Sequence, residues 1–564
     1  MDKRELTEPI LLELLKHAVD AIVDEMAIAL VRTAYSNNLK NSMDMSCALC
    51  DARGRLIAQG MTLPLHLGSI PDAMGCITRK FSATVRPGDV FILNDPYEGG
   101  THLPDFYIFK PVWLEDALVG WAATIGHQLD VGGMTPGGNG CDATEIFQEG
   151  LRIPPMRLYD RGEPVDAVFE IIERNVRVPR QVLGDVRAQL AACAAGERGL
   201  IDLIGRYGVE GFRACADALL DQAERLARNA IRAMPDGRYG FEDWIDDDGI
   251  DPGAIPIRVT ITVAGDQLTA DFTGTAPQVR GAINSPLPFT KSAVYACVPH
   301  LIGGDPPNNE GYFRPIEVIA PPATIVNPVM PAPVAARGLT GFRVANALFG
   351  ALAKIAPDRV FACEMGGDTG ISFGGYDAER RPFVFLEFLF GSWGGRPTRD
   401  GIDAAASAVV NFSNNPIEIV ESEYPLMIER YGYVPDSGGA GKFRGGLALV
   451  RQYRFLAEEG VLQLRTDRRA HVPYGLQGGR GGTPSVNLLW RDGEMRELPA
   501  KCRLTIRHGD VFRLVLGGAG GWGDPAGRDQ ARVAHDVAEG KLTAEHASCE
   551  YGVSVDAATG ELLT

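Results

Sequence analysis

The sequence predicts an α+β protein with several lobes, in which large mixed or antiparallel β-sheets are flanked by helices. Three observations favour this fold class. Short segments of alternating apolar and polar residues are joined by turn motifs. Helical periodicity is confined to a few segments, the longest of which is residues 182–234. The 564 residues include 67 glycines and 37 prolines, which favour turns and close backbone contacts over a helical bundle.

The first elements follow from local patterns. Thr7 can cap an N-terminal helix and Pro9 lies in its first turn, and apolar residues then recur at helical spacing as far as Met26. Residues 47–59 predict a β-hairpin around a central turn. Residues 90–93 form an apolar strand that ends at a turn motif.

Further along the chain, residues 182–234 predict helices with a break near Gly208. Residues 257–263 alternate between apolar and polar side chains and return through residues 268–272, as expected for a half-buried antiparallel hairpin. A helix at residues 344–355 precedes a long stretch that is rich in strands and glycine.

These elements group into four predicted lobes, separated by turn-rich and proline-rich segments. They are an N-terminal lobe with the candidate metal site (1–235), a β-rich lobe (236–330), a glycine-rich α+β lobe (331–524) and a C-terminal helical appendage (525–564).

The composition excludes several classes of function. The formal net charge of −17 and the lack of a basic cluster argue against a nucleic-acid partner. The first apolar stretch is too short and too charged for a signal peptide or membrane span, so we expect a cytoplasmic protein. In that compartment the ten cysteines stay reduced. Cys47 and Cys50 lie in a predicted strand, which favours buried thiols over a redox pair.

A possible metal site lies in one glycine-rich region. His102 and Asp105 are three residues apart, and apolar segments on both sides of residues 114–117 predict a hairpin. If the hairpin is symmetric about residue 116, Asp105 lies opposite His127. Directly opposed residues have Cβ atoms about 4.5–5.5 Å apart. That separation allows both side chains to bind one ion at about 2.0–2.2 Å.

Two imidazoles and a carboxylate suit Zn, Mn or Fe(II), and such a site can activate water for hydrolysis. Asp44, just before the predicted hairpin at residues 47–59, is a possible fourth ligand. The alternative is that His102, Asp105 and His127 form a buried hydrogen-bonded cluster. We interpret His66 as a satisfied core histidine.

Three short motifs resemble catalytic or nucleotide-binding sequences but lack the required context. Residues 370–374 match G-x-S-x-G, but a second strand follows where a helix is needed. Residues 518–523 match G-x-G-x-x-G, but Asp524 and a proline follow. Residues 437–443 resemble a phosphate loop but lack its first glycine and final Ser or Thr. The chain therefore shows no recognisable ATP site.

Several blocks of sequence resemble the hydantoinase B/oxoprolinase family, in order and over about residues 5–555. Cys50, Met43 and Met45 depart from the family's pattern, but none of them is a candidate ligand. The blocks that resemble the family are 42–59 (SMDMSCALCDARGRLIAQ), 94–105 (NDPYEGGTHLPD), 148–155 (QEGLRIPP), 416–421 (PIEIVE), 436–446 (DSGGAGKFRGG) and 517–525 (GGAGGWGDP).

This resemblance implies a metal-binding catalytic subunit of an ATP-dependent cyclic amidohydrolase that opens a hydantoin, 5-oxoproline or another lactam. It implies a separate hydantoinase A-type subunit that binds ATP, whereas eukaryotic 5-oxoprolinases fuse both halves. The positions that match the family's metal ligands are Asp44, His102, Asp105 and His127.

The mechanism that the resemblance implies has two steps. The partner phosphorylates the carbonyl oxygen of the cyclic amide, and this phosphorylated intermediate is then hydrolysed at the divalent metal. Glu145, Glu149 or Asp130 can act as base, although support of turns and of neighbouring ligands is the favoured role for these carboxylates. Two other functions remain open, namely a subunit of an ATP-dependent acetone- or acetophenone-type ketone carboxylase and a scaffold without bound metal.

Overall fold

The computed structural model describes residues 9–60, 62–302, 308–365 and 369–563. It confirms the predicted α+β class, with four β-sheets among these residues. Thr7, the predicted cap of the first helix, lies outside the described residues. The helices are α1 (Pro9–Thr33), α2 (Asn37–Lys40), α3 (Pro64–Leu67), α4 (Ile70–Phe81), α5 (Asp166–Asn175), α6 (Pro179–Tyr207), α7 (Val209–Arg232), α8 (Leu287–Cys297), α9 (Pro299–Ile302), α10 (Arg337–Ile355), α11 (Ile417–Glu423), α12 (Gln530–Ala538) and α13 (Ala544–Tyr551).

Most strands are joined as antiparallel neighbours, and short 3₁₀ helices, among them Ile146–Gln148, Glu310–Phe313 and Pro525–Gly527, lie between the larger elements. The strands are β1 (Met45–Asp51), β2 (Leu56–Gln59), β3 (Val90–Leu93), β4 (Asp105–Leu114), β5 (Ala117–His127), β6 (Met156–Asp160), β7 (Glu163–Pro164), β8 (Gly237–Asp247), β9 (Pro252–Ala264), β10 (Gln267–Asp271), β11 (Ile316–Ile319), β12 (Gly370–Tyr376), β13 (Pro382–Phe388), β14 (Leu426–Tyr433), β15 (Leu449–Phe455), β16 (Glu459–Arg465), β17 (Val486–Arg491), β18 (Glu494–Glu497), β19 (Lys501–Arg507) and β20 (Val511–Val515).

The first sheet has seven strands in the order β2-β1-β5-β4-β3-β6-β7. Its centre is the predicted β4–β5 hairpin, which closes through a two-residue turn between Leu114 and Ala117. The register shifts once, because Val112 pairs with Gly120 whereas the next residue of β4 pairs with Leu118. Val119 is therefore an extra residue in β5, and it forms a β-bulge.

Helices α1 and α6 cover one face of this sheet. Small residues on α6 let the two helices approach closely, since a Cβ at Gly196 would lie 2.5 Å from the sulfur of Met26. A Cβ at Gly199 would lie 2.8 Å from the side chain of Ile22. The predicted break after α6 is confirmed at Gly208, whose φ of 73° is unfavourable for other residues. Cys47 and Cys50 are buried and unpaired on β1, as expected for thiols in the core.

The second sheet has the order β11-β10-β9-β8 and contains the predicted β9–β10 hairpin. Helix α10 packs against β8 and β9, where a Cβ at Gly350 would lie 2.5 Å from the ring of Phe241. The helix begins at Arg337, seven residues before the predicted start. Its first turns carry buried polar residues, including Thr340 and Arg343, and these interrupt the apolar periodicity used for the prediction.

The third sheet (β13-β12-β16-β19) and the fourth sheet (β14-β15-β20-β17-β18) share an apolar cluster. The ring centroids of Phe373 on β12 and Tyr453 on β15 lie 5.5 Å apart. The G-x-S-x-G motif lies on β12, where the hydroxyl of Ser372 donates to the carbonyl oxygen of Pro136 at 3.1 Å. That serine is a structural residue, since a strand follows and no sharp strand-to-helix turn exposes its hydroxyl.

The two glycine-rich motifs near residues 437–446 and 517–523 pack directly against each other. A Cβ at Gly518 would lie 1.7 Å from the carbonyl oxygen of Ser437, and one at Gly521 would lie 2.2 Å from that of Ala440. Main chain therefore fills the space that a phosphate would need. These glycines serve close backbone packing.

The largest apolar cluster contains buried residues from Ala48 to Val410 and thus joins parts of the first three predicted lobes. The boundaries of those lobes remain predictions. Helices α12 and α13 pack in a small separate cluster. Within the described part of the chain, no helix combines the length and apolar character needed to cross a membrane.

Candidate metal centre

Three neighbouring strands bring the predicted ligands to one end of the first sheet. Asp44 directly precedes β1, Asp105 begins β4 and His127 ends β5. Asp105 pairs directly with His127, as predicted. The main-chain nitrogen of His127 donates to the carbonyl oxygen of Asp44 at 3.1 Å. His102 lies in the turn before β4, where its carbonyl oxygen accepts a hydrogen bond from the nitrogen of Asp105.

The side chains of these residues converge. One candidate ligand atom from each of His102, Asp105 and His127 lies within 4.8 Å of the other two. The ring centroids of the two histidines are 4.9 Å apart. All three side chains are buried, as is Asp44, which lies 4.0 Å from His127 through Oδ2 and Nδ1. We call these four residues the ligand cluster.

The ring of His102 has a defined orientation. Its Nδ1 lies 2.8 Å from the carbonyl oxygen of Ala335, so Nδ1 carries the proton and donates to this oxygen. The lone pair of Nε2 then faces Asp105, whose Oδ1 is 3.2 Å away. Neither of these two atoms has a hydrogen-bond partner among the described residues, and neither does Oδ1 of Asp44.

Buried polar atoms without partners are costly, and three of them on neighbouring side chains require an explanation. The orientation of His102 leaves a nitrogen lone pair beside the carboxylate oxygen of Asp105. A divalent cation would satisfy both atoms, and His127 offers a third ligand atom nearby, so these three residues fit a metal such as Zn or Mn. Asp44 is not part of this group of three.

His66 belongs to this site, and its interpretation as a satisfied core histidine is wrong. Its Nε2 lies 3.7 Å from Asp44 Oδ1 and 3.6 Å from Asp105 Oδ1, while its Nδ1 has no hydrogen-bond partner in the described chain. The position of His66 could have been predicted from the hairpin of residues 47–59. Gln59 of β2 pairs with Ala48 of β1, so the following residues run back toward Asp44.

Burial keeps the histidines of the site neutral. It lowers the pKa of His66 to about 3, and burial together with Arg337 lowers the pKa of His102. The pKa of His127 is also well below its usual value, because of burial and the neighbouring His102. Neutral imidazole is the form that binds metal ions.

The two carboxylates respond differently to burial. Although burial itself raises the pKa of Asp105, the guanidinium of Arg337 paired with its Oδ2 holds that pKa well below the usual range. Burial and the negative charge of Asp105 raise the pKa of Asp44 well above its usual value. Asp44 thus lacks sufficient positive charge nearby, a deficit that a cation between the carboxylates would remove.

Two buried arginines were missed by the sequence analysis. Arg337, the first residue of α10, pairs with Asp105 Oδ2 at 2.5 Å. Arg465, at the end of β16, donates to the side-chain oxygen of Asn139 at 3.0 Å. The amide nitrogen of Asn139 in turn lies 3.3 Å from Nε2 of His127. These arginines are far from the ligand cluster in sequence, and no local pattern indicates them.

Asp44 and His127 of the ligand cluster, together with His66, line a mostly apolar pocket with an empty volume of about 370 Å³. The ring of Phe388 contacts His127 edge-on, with centroids 5.5 Å apart. An apolar wall with few polar groups is typical of a small-molecule site. Besides the polar residues already named, the pocket is lined by Leu63, Leu65, Phe289, Gly338, Phe342, Phe388, Phe390, Val410 and Phe412.

The three candidate bases lie in different surroundings. Glu145 is exposed and caps the 3₁₀ helix Ile146–Gln148, and it does not line the pocket. Asp130 is buried and accepts hydrogen bonds from Arg177 and from nearby main-chain nitrogens. Glu149 is buried and accepts hydrogen bonds from the nitrogens of Val334 and Ala335 at 2.6 and 2.8 Å.

The comparisons with known proteins agree with this architecture. A family model described as hydantoinase B/oxoprolinase matches residues 8–525. The chain belongs to this family. A Pseudomonas sp. (strain NS671) protein described as the B component of a D-/L-hydantoinase is 36% identical over 570 residues, which cover 97% of this chain and 95% of the relative. The beta component of the caprolactamase of Pseudomonas jessenii is 34% identical, covering 97% and 96% of the two chains.

Solved structures are also similar to this member of the hydantoinase B/oxoprolinase family. The crystal structure of ATP-dependent caprolactamase from Pseudomonas jessenii matches with a TM-score of 0.91 and 32% identity, over 97% of each chain. A nucleotide-free acetone carboxylase structure matches with a TM-score of 0.92 over 98% of this chain and 81% of that one. Its identity is 19%, so this second likeness concerns the fold alone.

Proposed function

We propose that this chain is the metal-binding catalytic subunit of an ATP-dependent cyclic amidohydrolase that opens a hydantoin, 5-oxoproline or another lactam ring. The observation that carries the proposal is the convergence of His102, Asp105 and His127, with unpartnered ligand atoms on His102 and Asp105, beside an apolar pocket that His127 lines. Asp44 is the proposed fourth ligand, and His66 lies beside both carboxylates.

These residues would hold a divalent cation, which would supply Lewis acidity to polarise a substrate oxygen and to lower the pKa of water to about 7. The protein residues supply orientation and charge. The carbonyl oxygen of Ala335 fixes the ring of His102, and Arg337 holds Asp105 in its ionised form. The apolar wall of the pocket lowers the local dielectric constant, which strengthens each electrostatic interaction there.

A separate hydantoinase A-type subunit is the proposed user of ATP. The two relatives described above are each named as one component of a larger enzyme, the B component of a hydantoinase and the beta component of a caprolactamase. Within the described chain, the segments that resemble nucleotide loops are packed against main chain. The partner would transfer a phosphoryl group to the carbonyl oxygen of the cyclic amide, since resonance makes an unactivated amide a poor electrophile. The activated ring would then be hydrolysed in the pocket of this chain.

Purification with the ATP-binding partner permits a direct test. ATP hydrolysis is measured with a panel of lactams and hydantoins, and with ketones in the presence and absence of bicarbonate. We expect ATP turnover that depends on a cyclic amide, and elemental analysis should find about one divalent ion per chain. Turnover that requires a ketone and bicarbonate would replace the proposal with the carboxylase alternative.

Matched histidine variants connect this activity to the site. His102→Ala should lose the metal and lactam-dependent ATP turnover, whereas the exposed His535→Ala should retain both. Full activity of a metal-free His102→Ala protein would contradict a catalytic metal and favour a scaffold role for the chain.

A further inference from the structure

We propose that Arg337 and Arg465 form a binding subsite for a phosphoryl group, so that the pocket takes a phosphorylated, anionic ring in preference to the neutral cyclic amide. This inference rests on the proposed function and specifies the substrate form that the site receives. It assigns a specificity role to two residues that lie outside the ligand cluster.

The first arginine is held at the edge of the ligand cluster. One terminal nitrogen of Arg337 pairs with Asp105, and its guanidinium lies 3.9 Å from the ring centroid of Phe289. Its Nε is buried and has no hydrogen-bond partner among the described residues. Arg337 lines the pocket and is 6% exposed. An oxyanion in the pocket is suited to accept this remaining donor.

The second arginine is placed by strand register. Gly370 on β12 pairs with Arg465 on one side and with Phe388 on the other. Because Gly370 has no side chain, the guanidinium of Arg465 lies over it, and a Cβ there would be 3.0 Å from a terminal nitrogen. The guanidinium thereby reaches the ring of Phe388, 5.0 Å from its centroid. The aromatic ring and the bond to Asn139 fix its plane in the pocket.

The balance of charge favours an anionic ligand. The pocket and the ligand cluster together contain two arginines and two carboxylates, so these side chains cancel one another when ionised. A divalent cation in the ligand cluster leaves two excess positive charges beside a largely apolar space. A phosphate monoester dianion carries the complementary charge, whereas a neutral lactam leaves this excess uncompensated.

Binding of phenylphosphonate, a dianion attached to an apolar ring, tests this subsite without ATP turnover. Calorimetric titration would use the metal-loaded complex and three variants, Arg465→Gln, Arg465→Lys and the control Arg496→Gln on exposed β18. We expect Arg465→Gln to weaken phenylphosphonate binding at least tenfold, Arg465→Lys to weaken it less, and Arg496→Gln to leave it unchanged.

Equal phenylphosphonate affinity in the wild type and Arg465→Gln would overturn the assignment. Benzoate distinguishes a phosphoryl site from a general carboxylate site, and we expect it to bind at least tenfold more weakly. Equal affinity for benzoate and phenylphosphonate would also overturn the phosphoryl assignment. Metal content is measured in each variant. Absence of lactam-dependent turnover in the wild type would refute the proposed function, while the phosphonate titration would still decide the subsite.

Discussion

The imidazole of His102 is held by the main-chain oxygen of Ala335, which lies 2.8 Å from its Nδ1. The nitrogen of the same Ala335 donates to the buried carboxylate of Glu149. Glu149 therefore supports a histidine of the ligand cluster through the loop that precedes α10. This support by a carboxylate through the two backbone groups of one residue matches the role that partners beyond the ligands play in metal sites.

Glu149→Gln should remove a pH-dependent loss of stability. Burial raises the pKa of Glu149 to about 8, although its two main-chain hydrogen bonds lower it. Between pH 4.5 and 8 the unfolded chain releases this proton before the folded chain does, so stability falls as pH rises. Each pKa unit corresponds to about 1.4 kcal/mol. We expect thermal unfolding of the variant to vary less with pH over this window.

The matched control is Glu145→Gln, because Glu145 is exposed and caps a 3₁₀ helix only four residues away. It should follow the wild-type pH profile of stability and retain activity. A large loss of activity in the Glu145 variant would instead support a catalytic role for this carboxylate. Identical pH profiles for Glu149→Gln and wild type would show that Glu149 keeps an ordinary pKa.

Metal binding should release a proton from Asp44. The pKa of this carboxyl is raised by burial and by Asp105 in the metal-free protein, whereas a bound cation requires the ionised form. Metal affinity should therefore increase with pH. Titration calorimetry in buffers of different ionisation enthalpy counts the protons released on metal binding. Asp44→Asn should release about one proton fewer than the wild type. Asp185→Asn, another buried carboxylate with a raised pKa, should behave like wild type.

His66→Ala should weaken metal binding without unfolding the protein. His66 lies within 3.7 Å of both carboxylates of the site, and loss of a neighbour that orients ligands typically costs about 10–100-fold in affinity. Competition with a chelator measures this change. The half-buried His300, which contacts the carbonyl oxygen of Cys297, provides the control His300→Ala. Equal metal affinity in the two variants would show that His66 has a purely structural role.

Gly518→Ala should destabilise the protein strongly, by about 3 kcal/mol or more. The added Cβ would lie 1.7 Å from the carbonyl oxygen of Ser437, and main chain cannot yield as a flexible side chain can. Gly432→Ala on β14 is the control, because a Cβ there meets no atom within 4 Å. Soluble yield and thermal unfolding should separate the two variants. Similar stability would mean that the glycine-rich segments pack less tightly than these distances indicate.

The hairpin shows how far the sequence could predict this site. The apolar segments and their turn predicted that Asp105 faces His127, and this pairing is confirmed. The assumed symmetry about residue 116 was incomplete, however. Leu114 pairs with Ala117, and continuing that register would place Gly126 opposite Asp105. The bulge at Val119 supplies the missing residue. It lies in an uninterrupted apolar run, where the alternation that reveals register is absent.

The remaining parts of the site depend on long-range packing. Arg337 reaches Asp105 from 232 residues away, and Arg465 reaches Asn139 from 326 residues away. Neither contact has a periodic pattern or a local motif. The helix that carries Arg337 was predicted to begin later, because its first turns bury polar side chains. The G-x-S-x-G motif, by contrast, was correctly judged from its immediate neighbours, because a strand follows it.

The bulge at Val119 makes the length of a surface hairpin decisive for buried chemistry. Exposed turns usually tolerate insertions and deletions. Within either strand, by contrast, a single residue gained or lost would move one of these side chains to the opposite face of the sheet unless a bulge absorbed it. A change of length inside these strands therefore has to be compensated within the same hairpin. An alignment of relatives that places one unmatched gap inside β4 or β5 would misassign the proposed ligands.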